Sequence, residues 1–196
     1  MEESVTEVNH LAHLFLADDT VDSILGNLSG DFVRGRIDKQ PEHLREGIVR
    51  HRKVDAFTDS HPAVIASKRR LYPQFGHYAP VIVDIFYDHL LARSFHHYRD
   101  ETLDDFTERM YRILGENRGR MPEVMRRVTQ RMAAENWLTS YATLEGITLA
   151  LTHISRRLSR PCALETSVPL LQKHFSEFDG EFHAFFPEVM ALVGKG

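Results

Sequence analysis

Four short stretches of the chain carry residue types that hold cations and move protons. In Asn9-His10-Leu11-Ala12-His13, Asn9 and His13 stand four apart and share a helix face, and His10 and His13 stand three apart. In residues 26–35, Gly-Asn-Leu-Ser-Gly-Asp-Phe-Val-Arg-Gly, Asp31 is followed three positions later by Arg34. In residues 47–59, His51, Asp55 and Asp59 fall four and four apart, a row of ligand-type groups along one helix. In residues 84–90, Asp84 and Asp88 repeat that spacing inside an apolar run, with His89 next to them. There are 12 histidines in the chain, and several sit at helical spacing from aspartates, which points to a site.

Asp84 and Asp88 are the most telling. A carboxylate on a buried face costs several kcal/mol unless it is paired, hydrogen-bonded or bound to a cation. Two such acids one turn apart repel each other unless something positive lies beside them, and either a divalent metal or an arginine meets that need. Mixed histidine and carboxylate ligands suit manganese, iron or zinc, whereas all-oxygen sites suit magnesium or calcium. A ferritin-like di-iron bundle needs two Glu-x-x-His pairs, and only Glu7-Val8-Asn9-His10 fits. A hydrolytic site built from His and Asp on several helices fits better, with a cation that activates water and holds a phosphoryl oxygen. No nucleophile elbow, Walker loop or dinucleotide fingerprint is present. Cys162, beside Pro161 and without a charged neighbour, reads as a packed thiol. His43, His61, His77, His96, His97, His153, His174 and His183 lack ligand company and read as ordinary core or surface residues.

Helices must position these groups. Apolar residues recur at three- and four-residue intervals (Leu11, Leu14, Phe15; Ile24, Leu25, Leu28, Phe32), and strand-like alternation is scarce. Pro41 is placed to open a helix through 45–57, Pro62 another after an Asp59 or Ser60 cap, and Pro122 a third. Residues 79–95 read as a buried central helix, 103–114 as the next, and 115–120 as a loop. Residues 137–158 hold one or two helices with Gly146 as the weak point. Gly180 and Pro187 should interrupt a last segment over 168–192. The expectation is one all-α domain over 1–196, a compact helical bundle, with no internal repeat or long linker. At 42% hydrophobic and 27% charged it can bury a core without disulfides. No run is long and apolar enough to span a membrane, the first residues carry acids instead of a basic leader, and the single Cys162 suits a reducing, cytoplasmic setting.

Charge is segregated. Residues 1–33 carry seven acids, including Glu2, Glu3 and Glu7, and no Lys or Arg. Residues 34–70 hold ten cations against five acids, a net +5, and further arginines run from Arg109 to Arg131. Either these are solvated helix faces, or one surface receives an anionic partner. A net charge of −4 and the lack of a recognition motif argue against nucleic acid.

Taken in order and with their gaps, the four stretches resemble one family, the bacterial acyl carrier protein phosphodiesterases, also called holo-acyl-carrier-protein hydrolases. The family pattern runs Asn-x-Leu-Ala-His-Leu, Gly-Asn-Leu-x-x-Asp-Phe-Val-Arg-Gly, Gly-Ile-x-x-His-Arg-x-hydrophobic-Asp-x-x-Thr-Asp and Asp-x-x-x-Asp-His-x-Leu. Here these stand at 9–14, 26–35, 47–59 and 84–90. The chain departs from the pattern in the extra residues before Asn9, and its His-Asp order is reversed as Asp88-His89.

The resemblance implies an all-helical enzyme, distantly like the HD-type metal phosphohydrolases. Such an enzyme cleaves the phosphodiester joining 4′-phosphopantetheine to a serine of acyl carrier protein. It would use a divalent cation, typically Mn²⁺, with Mg²⁺ or Fe²⁺ as the other candidates. Carried onto this sequence, Asp31, His51 and Asp88 are the expected metal ligands, with His13 and Asp55 next as a fourth ligand or as supports for an imidazole. Arg34 and Arg52 are expected to clamp the free phosphate oxygens. His89 is the expected general acid, oriented by Asp84. The acidic partner would land on the basic stretches 50–70 and 109–131. Two alternatives predict different outcomes: a small-phosphodiester or nucleotide hydrolase turns over without a protein partner, and a non-catalytic module binds acyl carrier protein without producing the apo form.

Overall fold

A computed structural model describes residues 9–195, so the acidic Glu2, Glu3 and Glu7 and the extra segment before Asn9 lie outside the described residues. Eleven α-helices follow one another, and no strand occurs among the described residues. They are α1 (His10–Leu16), α2 (Val21–Ser29), α3 (Glu42–Ser60), α4 (Pro62–Phe75), α5 (Ala79–Arg93) and α6 (Leu103–Glu116). After these come α7 (Glu123–Ala134), α8 (Trp137–Ser140), α9 (Leu144–Ser155), α10 (Val168–Lys173) and α11 (Phe175–Leu192). Their apolar faces meet in one contiguous core that runs from Leu11 to Val189, with Phe15, Phe86, Phe106, Phe178, Phe182 and Phe186 fully buried. Among the described residues no helix is long and apolar enough to cross a membrane.

Helix starts follow the proline and hydroxyl signals. Thr20, Thr102 and Thr143 cap α2, α6 and α9 by accepting an N–H from Ser23, Asp105 and Gly146. Pro62 is the first residue of α4, but the cap is neither Asp59 nor Ser60: His61 Nδ1 accepts the Ala63 N–H at 3.3 Å. Asp59 instead meets Lys68 Nζ at 2.6 Å.

Gly146 does not break the helix. The break falls at residues 141–143, and Gly146 sits in the first turn of α9 against the Ser140 carbonyl, where a Cβ would come within 1.9 Å. Gly180 and Pro187 both lie inside α11, and the interruption comes at His174. The loop expected at 115–120 contains a single turn of 3-10 helix, Arg118–Arg120.

Two long-range devices fix the helices that carry the site. At the crossing of α2 and α3, Gly26 faces Gly47 so closely that a Cβ on Gly26 would stand 2.8 Å from the Gly47 Cα, so only glycine permits the approach. At the start of α1, Asn9 makes no side-chain cap. Asp88, from the middle of α5, accepts the Leu11 N–H at 3.0 Å and the Ala12 N–H at 2.9 Å. A carboxylate 77 positions away thus satisfies two orphan donors at the positive end of the α1 dipole.

Candidate metal centre

Three elements bring the ligand-type side chains together. α1 contributes His10 and His13, the turn after α2 contributes Asp31, and α3 contributes His51 and Asp55 on one face. His13 and His51 stack with ring centroids 3.9 Å apart. Asp55 bridges them, its Oδ1 3.2 Å from His13 Nε2 and its Oδ2 2.9 Å from His51 Nε2. Asp31 Oδ1 lies 3.4 Å from the same His51 Nε2, and Asp31 Oδ2 faces His10 Nδ1 at 3.8 Å.

Burial and hydrogen bonding set the state of each group. His10, His13 and His51 are buried, whereas Asp55 is about half exposed, so the group opens to solvent on the Asp55 side. Behind it, His13 Nδ1 donates to Asn27 Oδ1 at 3.3 Å, which orients the ring with Nε2 toward Asp55. Burial works against charge on His51, but its hydrogen bond to Asp55 and the charges of Asp31 and Asp55 outweigh that and raise its pKa. Burial would raise Asp55, yet its bonds to His13 and His51 hold it well below the usual carboxylate range. His10 has no such bond; burial lowers it to about 4 against the pull of Asp31, and it is neutral near pH 7.

The residues fit a divalent cation. The ligand atoms of His13, His51 and Asp55 all lie within 4.8 Å of one another. Atoms bound to one ion at about 2.0–2.2 Å stand roughly 3–3.5 Å apart, close to the separations seen here. His10 Nδ1 and Asp31 Oδ2 are buried without a hydrogen-bond partner, a state that costs about 1–3 kcal/mol per group unless something polar answers it. Two imidazoles and carboxylates are the donor set of a first-row metal.

The family model described as acyl carrier protein phosphodiesterase matches residues 8–189. Curated relatives of that name agree over nearly the whole chain. The protein of Pectobacterium atrosepticum is 33% identical over 95% of this chain and 97% of its own. That of Photorhabdus laumondii is 34% identical over 93% of each, and that of Klebsiella pneumoniae strain 342 is 31% identical over 95% and 97%. The chain belongs to the acyl carrier protein phosphodiesterase family. No solved structure matches it, so the distant HD-type likeness is an expectation still.

The acyl carrier protein phosphodiesterase motifs therefore have definite places. Those at 9–14, 26–35 and 47–59 converge on the histidine–aspartate group and bring Asp31, His51, His13 and Asp55 together. The motif at 84–90 supports the group from α5. Asp88 is fully buried, with both oxygens on α1 amides; burial raises its pKa even against those two bonds. His89 is buried too. Its Nδ1 donates to the Tyr141 carbonyl at 2.6 Å, its Nε2 has no partner, and burial lowers its pKa. Asp84 lines a small cavity with Asn9, Thr58 and Phe185, and burial pushes it up to about 7 against the pull of Lys68.

Arg34 and Arg52 are exposed, and Arg52 Nη2 donates to the Gly35 carbonyl at 2.9 Å. That bond ties α3 to the turn bearing Asp31.

His10, noted only as a neighbour of His13 and given no role, shares Asp31 with His51, and the supporting role of Asn27 was missed. Both stood inside the quoted motifs, one turn from His13 and next to Gly26, respectively.

Three cations of the expected landing stretches are engaged within the fold. Arg50 donates to the Leu16 and Val193 carbonyls and pairs with Asp18, Arg70 makes two bonds of 2.8 Å to Glu181, and Arg109 pairs with Glu101 and Asp19. These guanidiniums close helix ends and tie helices together. By contrast Arg156, Arg157 and Arg160 are exposed and make no ion pair among the described residues.

Proposed function

We propose that this chain hydrolyses the phosphodiester between 4′-phosphopantetheine and the serine of acyl carrier protein, as a single domain over 1–196 acting in the cytoplasm. The observation that carries this reading is the His13–His51–Asp55 group with Asp31 beside it, in a member of the acyl carrier protein phosphodiesterase family.

His13, His51, Asp55 and Asp31 would hold one divalent cation, and the mixed nitrogen and oxygen donors favour Mn²⁺ over Mg²⁺ or Ca²⁺. When bound, that ion supplies a Lewis acid for a phosphoryl oxygen and makes an attacking water acidic enough to react near neutral pH. Asn27 holds the His13 tautomer that points a lone pair at the ion. Its bonds to His13 and His51 keep Asp55 charged near neutral pH. Arg34 and Arg52 stand at the exposed margin and take the remaining phosphoryl oxygens, with Arg52 exchanging the Gly35 carbonyl for phosphate.

We assign Asp88 and His89 to positioning, because one caps α1 beneath His10 and His13 and the other bonds α5 to Tyr141. This revises the expected ligand role of Asp88 and acid role of His89. Asp84 is placed in the cavity beside Asn9 and Thr58, where burial lets it hold its proton up to about pH 7. Arg156, Arg157 and Arg160 supply the basic surface for an acidic carrier protein.

Mass spectrometry of holo-acyl carrier protein incubated with the protein and Mn²⁺ tests the reading. Loss of the phosphopantetheine mass, prevented by a chelator, is expected. An unchanged mass with Mn²⁺, Mg²⁺, Fe²⁺ and Zn²⁺ overturns it.

A further inference from the structure

A narrow cleft of about 80 Å³ opens beside His10, between α5 and the α7–α9 segment. That is narrower than the roughly 300–1,000 Å³ pocket of a compact ligand, so the cleft suits a thin extended chain and not a bulky ligand or a folded protein. His10 lines this cleft and also faces Asp31, so the cleft begins where the histidine–aspartate group ends.

The walls mix apolar and polar side chains. Ile85, Ile154 and Tyr141 are buried beneath it, while Leu149 stands at the rim with 53% of its surface exposed, an apolar side chain left without cover. Trp137 forms a flat side wall, held by its Nε1–H to Glu135 Oε2 at 2.7 Å. Arg157 lines the cleft together with His10, and Arg156 and Arg160 flank it in sequence. The polar groups along the way are few: Ser140, His153 and Glu135.

The geometry points to this cleft as the seat of the pantetheine arm of the substrate, with the scissile phosphate between Arg157 and the histidine–aspartate group. This assignment rests on the phosphodiesterase reading and adds where the thin half of the substrate lies. The chemistry of the arm matches the side chains of the lining. One end is a phosphate, for Arg157. Next comes a gem-dimethyl carbon, for the apolar faces of Leu149 and Trp137. Two amides follow, needing only a few hydrogen-bonding groups, which Ser140, His153 and Glu135 provide. The carrier protein then stays outside, where Arg156 and Arg160 meet its acids. A diester with no such arm would leave the cleft open and forgo that binding free energy.

Trp137 is the single tryptophan of the chain, so its emission reports on the cleft. 4′-Phosphopantetheine titrated into the chelator-treated protein should change that emission saturably. Leu149→Glu should weaken the binding at least tenfold and raise KM for holo-acyl carrier protein more than it lowers kcat. Val124→Glu, at an equally exposed apolar residue outside the cleft lining, should leave both values unchanged.

If holo-acyl carrier protein is hydrolysed while Trp137 stays unresponsive to millimolar 4′-phosphopantetheine, the cleft is not the arm's site. Equal effects of the two variants lead to the same conclusion. If the wild-type protein hydrolyses no holo-acyl carrier protein with any of several divalent cations, the substrate reading itself falls, and this assignment with it.

Discussion

Gly30 and His51 are fitted to each other: a Cβ built on Gly30 would stand 2.1 Å from Cγ of the His51 ring. The ring occupies the space that any other residue at position 30 would fill. The end of α2 therefore presses His51 toward Asp31, one residue beyond the glycine, and toward Asp55, one turn along α3. Gly30→Ala should displace the imidazole and lower Mn²⁺ affinity about 10–100-fold, the usual cost of disturbing the support of a ligand. Calorimetric titration with Mn²⁺, alongside far-ultraviolet circular dichroism to show retained helix, checks this. Wild-type affinity in the alanine variant would contradict the fit.

Asp88 answers a structural need that α1 cannot meet from its own sequence. Asp88→Ala leaves the Leu11 and Ala12 amides without their acceptor and should cost about 1–3 kcal/mol of stability, read from the urea midpoint. Asp88→Asn keeps one acceptor oxygen and should fall between. If Asp88→Ala instead abolished Mn²⁺ binding with no loss of stability, Asp88 would be a ligand and not a cap.

Asp84 imposes a pH dependence on the metal-free protein. Its native pKa of about 7 lies above the roughly 3.9 of an unfolded aspartate. Below about pH 4 the group is protonated in both states and has no effect. As pH rises toward 7 the unfolded chain releases the proton while the native carboxyl keeps it, so the native state loses ground. Above 7 the loss is constant. Lys68 on α4 opposes this rise, and Asp55, Asp59 and Asp31 reinforce it. Asp84→Asn should therefore be more stable than wild type by a margin that grows from pH 4 to 7 and then levels off. Thermal melts in chelator across that range show it, and a margin that shrinks would reverse the assignment.

The redrawn basic surface predicts which charges matter to the partner. Arg156→Glu with Arg160→Glu should raise KM for holo-acyl carrier protein about tenfold or more, and added salt should flatten the difference. Arg112→Glu, at a guanidinium already beside Glu116, should change KM little. Steady-state kinetics at two ionic strengths separates them, and equal effects would remove the 156–160 segment from the docking face.

Much of this was legible in the chain, for physical reasons. Helical periodicity and prolines at helix starts mark the elements because they depend on neighbours a few positions away. The ligand-type spacing in 9–14 and 47–59 marks His13, His51 and Asp55 for the same reason. What stayed hidden depends on distant partners. Asp88 in an apolar helix looks the same whether a cation or the amides of α1 neutralise it. Arg50 and Arg70 read as open charge until Val193 and Glu181 are seen beside them. Gly180 and Pro187 stay inside α11 because tertiary packing of Phe178, Phe182, Phe185 and Phe186 outweighs local propensity. Apart from His10 and Ile85, the cleft walls come from 128–157, where no motif of chemical residues drew notice.

The central claim is that one divalent ion sits among His13, His51, Asp55 and Asp31. Anomalous X-ray diffraction at the manganese edge, from crystals grown with Mn²⁺, locates that ion directly. The account predicts one strong peak within bonding distance of the two Nε2 atoms and Asp55. A peak at Asp88 or Asp84, or none at this group under saturating Mn²⁺, would contradict it.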